Sequence, residues 1–218
     1  MSPGADRDKD LLIMGTTPYA TVFADVFEAV EGFGVAGFIE NLDATRAGKH
    51  LVDLPIHWIE DVDDGDGRNC AICCLATPRR DGFVRQVAER GIPFATLVHP
   101  TAHLSRRSSL GEGTSLDVGV IVAGYSRIGN HVRIGRGATI GHHLRIGDFA
   151  TIMPGVDIAS GTEIGAKATI GIGATVIENV SVGEGSIIDT GAMVTRDIPP
   201  RCLAVGVPAQ VVKTDLER

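Results

Sequence analysis

The chain has 218 residues, 44% hydrophobic and 22% charged, and its 20 Lys and Arg against 27 Asp and Glu leave a net charge of −7. That length supports two small domains or one large one, with a core that needs no crosslinks. The acidic balance excludes an electrostatic grip on nucleic acid or on an anionic membrane surface, both of which need a basic face. No apolar run approaches the roughly 18 residues of a membrane span, and no signal-peptide pattern opens the chain, so no membrane span and a cytoplasmic address are expected.

Residues 1–10, MSPGADRDKD, are polar and predict a disordered leader. LLIMG then reads as a buried strand running into a loop, YATVFADVFEAVEGFG as an amphipathic helix closed by glycine, and VAGFIE as a second strand. HLVDLPIHWIEDV is a connection with a short strand or turn, DDGDG a loop, CAICCLA a buried strand, PRRDGFVRQVAERG a helix and FATLVHP a closing strand. Strands alternating with helices over residues 11–100 predict a Rossmann-like α/β domain with a small parallel sheet. Cys70, Cys73 and Cys74 fall in one strand, with Cys202 far away. Alternation points Cys70 and Cys73 to opposite faces, so their spacing suits neither a metal nor a disulfide; they read as core residues of a reduced protein.

From Leu104 the pattern changes to a repeat. Every sixth residue as far as Val194 is Leu, Ile or Val, sixteen anchors in all. Eight anchors are followed directly by glycine, and the residue two before is mostly small: Ser126, Ala138, Ala150, Ala168, Ala174, Ser186 and Ala192 among them. A six-residue period of this kind predicts a parallel β-helix over residues 101–198, with anchors and small residues inside and a tail at 199–218. His142 and His143 fall two and three places after the anchor Ile140 and project from a corner. They are candidate catalytic residues, the plain alternative being two solvated side chains. The other histidines, at 50, 57, 99, 103 and 131, show no spacing that suggests a metal site, and none is expected.

The hexad lattice followed by TRDIPPRCLAVGVPAQVVK, with its GxPA segment, resembles the hexapeptide-repeat acyltransferases. With the α/β first half and the junction LVHPTAHLS, residues 11–213 resemble the sugar acetyltransferases of the sialic acid O-acetyltransferase and bacillosamine-pathway N-acetyltransferase type. The resemblance implies a left-handed β-helix of eighteen-residue coils, a homotrimer, acetyl-CoA bound between neighbouring β-helices, and a nucleotide-sugar or amino-sugar acceptor held by the first domain. It makes His142 the general base. The glutamate that often follows that histidine is His143 here, and a second family histidine near the thioester is replaced by Thr151. An eighteen-residue coil stacks Ser160 over His142 and Gly124 beneath it. Ser160 aligns with the residue whose amide contacts the acetyl carbonyl, and Ile172 and Thr190 with a pantetheine channel; Arg196 and Lys213 are candidates for the CoA phosphates.

In the first domain, relatives carry a glycine-rich turn whose amides hold a diphosphate. This chain has GTTPYA instead, so that Gly15, Thr17, Pro18 and Tyr19 are candidate acceptor contacts, yet Pro18 has no amide to donate. Glu40 and Asn41 align with an acidic pair near the nucleobase or ribose. The expected reaction is N-acetylation of a nucleotide-linked amino sugar by direct transfer, the alternatives being sugar O-acetylation, an inactive trimeric scaffold, or a nucleotide-binding sensor.

Overall fold

The computed structural model describes residues 8–77 and 80–216 and divides into two compact units, the first ending at Leu97 and the second beginning at Val98. In the first unit, strands β1 (Lys9–Met14), β2 (Phe33–Glu40), β3 (His50–Leu51), β4 (Leu54–Trp58) and β5 (Asn69–Cys73) form a sheet of order β3-β4-β2-β1-β5. Helices α1 (Pro18–Phe27) and α2 (Arg80–Ala88) accompany it. Helix α1 buries Ala20, Phe23, Ala24 and Phe27, one stripe at helical spacing. These side chains join Leu11, Ile13, Phe38, Ile56 and Ile72 in one core.

Three expectations change. The sheet is mixed rather than parallel, because β3 and β4 pair antiparallel. Their two-residue loop, Val52 and Asp53, has φ of 44° and 66°, the both-positive geometry whose twist matches a tight hairpin. The first strand begins at Lys9, inside the expected leader. Lys9 N donates to Gly32 O at 3.1 Å, and Arg68 Nε bonds Asp10 Oδ2 at 3.0 Å. Leader residues 1–7 lie outside the described residues, as do Pro78 and Arg79 of the second helix segment. FATLVHP is not one strand. Phe94 makes an isolated bridge to Ala71, and only Leu97–Val98 (β6) is extended and paired, as the first strand of a β-helix sheet.

The second unit contains sixteen two-residue strands at six-residue intervals, β7 (His103–Leu104) to β22 (Met193–Val194). They stack in three parallel sheets, each strand pairing with the one eighteen residues on, as Thr139 with Asp157 and Ile140 with Ile158. The repeat is thus a β-helix with an eighteen-residue coil. The third sheet is extended by β23 (Leu203–Val205) and by β24 (Gln210–Lys213), which runs antiparallel to it. The GVPA segment joins these two strands through a cis Val207–Pro208 bond.

Packing explains the repeat. The fourteen anchors from Leu116 to Val194 are at most 3% exposed, and the small residues two before them are equally buried. A Cβ on any of the eight glycines after an anchor would sit 2.3–2.8 Å from a backbone nitrogen of the next coil, so these positions admit no side chain without moving a coil. Each corner from residue 113 to 191 carries one residue of positive φ, fourteen in all, of which eight are glycine. The other six are Tyr125, His131, His143, Phe149, Lys167 and Asn179.

Candidate active site

His142 and His143 lie on the corner between β13 (Thr139–Ile140) of the first sheet and β14 (Arg145–Ile146) of the second, and both are exposed. The coil spacing puts them where the sequence expects. His142 N donates to Ser160 Oγ at 3.2 Å in the next coil, and His143 N donates to Gly124 O at 3.1 Å in the coil before. The Ser160 amide donates to no acceptor among the described residues. It stands next to Gly141, where a Cβ would come within 2.7 Å of the Ser160 nitrogen. An imidazole and a main-chain donor with no acceptor among the described residues therefore occupy adjacent rungs of one corner, and acyl transfer uses a base and an oxyanion donor.

His143 occupies the left-handed corner position, with φ of 54°. This conformation swings its ring toward His142, and the two Nδ1 atoms are 3.0 Å apart with the rings at 89°. One of the two nitrogens must donate and the other accept. When His142 Nδ1 carries the proton, its Nε2 keeps a free lone pair and can accept a proton from a nucleophile. His143 then acts as acceptor where a carboxylate is the commoner partner. The ring of His143 is itself fixed by stacking on Tyr125, eighteen residues earlier, with centroids 4.8 Å apart and planes within 20°. Arg107, another coil back, lies 5.5 Å over the Tyr125 ring. This column was missed in the sequence, although its eighteen-residue spacing was there to be read.

The remaining candidates fall elsewhere. Thr151 is in the third sheet, on a different wall from His142, and only 2% exposed, so it offers no open surface. Ile172 and Thr190 are exposed near the corner that follows the third sheet, where residues 119, 137, 155, 173 and 191 are all glycine with open space beside them. Arg196 donates to Gln210 Oε1, and Lys213 is exposed at the end of β24.

In the first unit, Gly15 has φ of 113°, and a Cβ there would come within 2.7 Å of Leu75 and 3.1 Å of Cys74. Thr17 precedes α1 without a side-chain cap, Pro18 opens the helix, and Tyr19 packs against the core 6.3 Å from Phe23. Asn41 Nδ2 donates to Gln86 at 2.9 Å. Glu40 is nearly buried and works inside the protein. Its carboxylate accepts from the amides of Asn41 and Leu42 at 3.0 and 2.9 Å and from the Thr16 hydroxyl, with Arg46 at 3.6 Å. Burial opposes its ionisation, but the Thr16 hydroxyl and the amides of Leu42, Asp43 and Asn41 outweigh that and hold its carboxyl below the usual range.

Among the described residues, no cluster of three or more His, Cys, Asp or Glu is arranged to hold a metal, and no helix is long and apolar enough to cross a membrane. All four cysteines are buried thiols, and burial pushes that of Cys70 up to about 11.

A scan against protein-family models finds no match, and a search of the curated proteins finds none. Solved structures do match, over almost the whole chain. A histidine-to-asparagine variant of the perosamine N-acetyltransferase from Caulobacter crescentus, in complex with CoA and GDP-perosamine, has a TM-score of 0.86 at 28% identity. It covers 94% of this chain and 97% of that one. The acetyltransferase domain of PglB from Neisseria gonorrhoeae gives 0.84 at 23% identity, covering 94% and 100%, and is also known with acetyl coenzyme A. WeeI from Acinetobacter baumannii gives 0.77 at 21% identity, covering 94% and 100%. The class these likenesses define is an acetyltransferase architecture, a small α/β unit followed by a β-helix of six-residue repeats. Within it, the chain is similar in both fold and sequence to the perosamine N-acetyltransferase.

Proposed function

We propose that the chain is an acetyl-CoA-dependent N-acetyltransferase acting on a nucleotide-linked amino sugar, with His142 as general base. The observation that carries this reading is the corner itself. An exposed imidazole, held through Nδ1, stands one coil from a main-chain amide that has no acceptor among the described residues. The whole-length likeness to a protein known with CoA and GDP-perosamine supports the choice of donor and acceptor.

The neutral amine of the sugar attacks the thioester carbonyl of acetyl-CoA. His142 Nε2 takes a proton from the attacking nitrogen, and the imidazolium shares its Nδ1 proton with His143. The Ser160 amide donates to the carbonyl oxygen as it gains negative charge. Collapse breaks the carbon–sulfur bond, and the proton on His142 passes to the departing sulfur, giving the amide and the free thiol of CoA. The acetyl group passes directly from thioester to amine, and no cysteine lies near this corner. Removing a general base of this kind lowers rates by about 10²–10⁴-fold.

The base sits on one corner of the prism, while Ile172 and Thr190 line another. We infer that the donor lies between copies, the glycine corner of one chain facing the His142 corner of its neighbour, in a homotrimer of left-handed helices acting in the cytoplasm. The test is thiol release from acetyl-CoA with a panel of nucleotide-linked amino sugars and their hydroxyl counterparts. Turnover confined to the amines supports the reading. Turnover confined to the hydroxyl sugars makes the enzyme an O-acetyltransferase, and none with any acceptor leaves a scaffold.

A further inference from the structure

Beside His143, on the side away from Ser160, a groove of about 370 Å³ runs along the second wall. Arg107, Ser109, Tyr125, Arg127, His143 and Arg145 contribute to its lining. Arg127, in β11 (Arg127–Ile128), and Arg145, in β14, are exposed and occupy paired positions of adjacent parallel strands. Like charges placed directly opposite one another destabilise a sheet. Among the described residues, none of the three guanidinium groups forms an ion pair or a side-chain hydrogen bond, and Glu163, the next residue in the same column, makes no ion pair with Arg145. The Arg107 guanidinium carbon lies 5.5 Å from the Tyr125 ring centroid, and Arg107 lines the groove. In a chain of net charge −7, three unpaired arginines around one concavity are a local reversal of sign.

We propose that this groove is the subsite for a diphosphate, and that the diphosphate belongs to the nucleotide-linked acceptor. Guanidinium groups pair with phosphate oxygens through two parallel N–H bonds, and three of them more than offset the two negative charges of a diphosphate diester. Both substrates of the proposed reaction contain such an ester, so position decides between them. The Ser160 amide, where the thioester carbonyl is held, lies one coil toward the C-terminus of the helix. Arg107 and Arg127 lie on coils toward its N-terminus. The donor therefore comes to His142 from one side and the acceptor from the other. The first unit fits this division, because Pro18 offers no amide and the Thr16 hydroxyl is engaged by Glu40, so the loop after β1 is a poor phosphate cradle.

The assignment to the acceptor rests on the acetyl-transfer reading, whereas the anion site itself does not. Two measurements on the full chain separate them. In the first, inorganic pyrophosphate is titrated calorimetrically into the wild type and into an Arg127→Gln/Arg145→Gln variant. Binding weakened by about tenfold or more in the variant, at an unchanged elution volume and a thermal midpoint no lower than that of the wild type, is expected from the loss of charge-assisted bonds. Equal affinity in both proteins, or no binding to the wild type, overturns the site. In the second, the variant is assayed with both substrates. A KM raised by about tenfold for the nucleotide-linked amino sugar but unchanged for acetyl-CoA is expected. A rise confined to acetyl-CoA overturns the assignment to the acceptor. Arginine-dependent pyrophosphate binding without any acetyl transfer overturns the reaction and supports the anion site.

Discussion

The Nδ1 atoms of His142 and His143 face each other at 3.0 Å, so the proton between them decides which ring can serve as a base. With His142 donating, its Nε2 is available and His143 is the partner that fixes the tautomer. Replacing His143 with Ala removes that partner but leaves the base, so turnover falls by about tenfold, well short of the loss on removing a general base. His143→Glu restores an acceptor and regains part of the rate. Initial rates of thiol release check both, and equal losses for His143→Ala and His142→Ala contradict the assignment.

His143 also sits at a corner where eight of fourteen equivalents are glycine. His143→Gly relieves a left-handed backbone strain of about 1–2 kcal/mol while losing the Tyr125 stack, worth about 0.5–1.5 kcal/mol. Urea unfolding is expected to show stability unchanged within about 1 kcal/mol, while turnover falls as in the alanine variant. A large loss of stability assigns His143 a structural role instead.

A second variant tests the oxyanion donor. In Gly141→Ala the new Cβ would sit 2.7 Å from the Ser160 nitrogen and displace that amide. In Gly165→Ala the equivalent contact, 2.4 Å from the Glu184 nitrogen, is a coil further on and away from His142. Both lose about 1–3 kcal/mol of stability to overpacking, but only the first also loses turnover at temperatures where both are folded. Equal activities would show that the Ser160 amide takes no part.

Glu40 predicts an acid limit for the first unit. Its carboxyl ionises more readily in the folded chain than its ordinary value of 4.5, so it contributes stability that is fully present above that value and lost as pH falls through the lower folded-state one. Glu40→Gln should therefore unfold more easily than the wild type at pH 7, with the gap closing below about pH 4.5. A gap that is constant with pH assigns the effect to lost packing alone.

Direct transfer requires no thiol. The four cysteines are buried and the Cys70 thiol is raised to about 11, so maleimide treatment of the folded protein at pH 7 should leave turnover unchanged. Inactivation that tracks the modification of one cysteine would point to a covalent route.

Much of this was legible in the chain because the repeat is a packing rule. A six-residue period fixes what is inside, so the anchors, the small residues beside them and the outward placement of His142 followed from counting. The coil length added the neighbours Ser160 and Gly124. What was missed depends on backbone conformation or on side-chain reach. Val52 and Asp53 form a tight hairpin without the Gly or Asn that usually marks one, so the antiparallel pair was hidden. Glu40 looked like a ligand-binding acid, and its internal bonds to Thr16 and three amides cannot be read from spacing. The stacked column of Arg107, Tyr125 and His143 required both the coil length and the left-handed corner that turns these side chains onto one another.

The central claim is that the imidazole of His142 removes the proton during direct transfer. The most direct measurement is the steady-state rate of thiol release by His142→Ala, with binding of acetyl-CoA and of the nucleotide-linked acceptor followed separately by calorimetry. The account predicts retained binding of both substrates and a turnover reduced by about 10²–10⁴-fold. Wild-type turnover in the variant would contradict it.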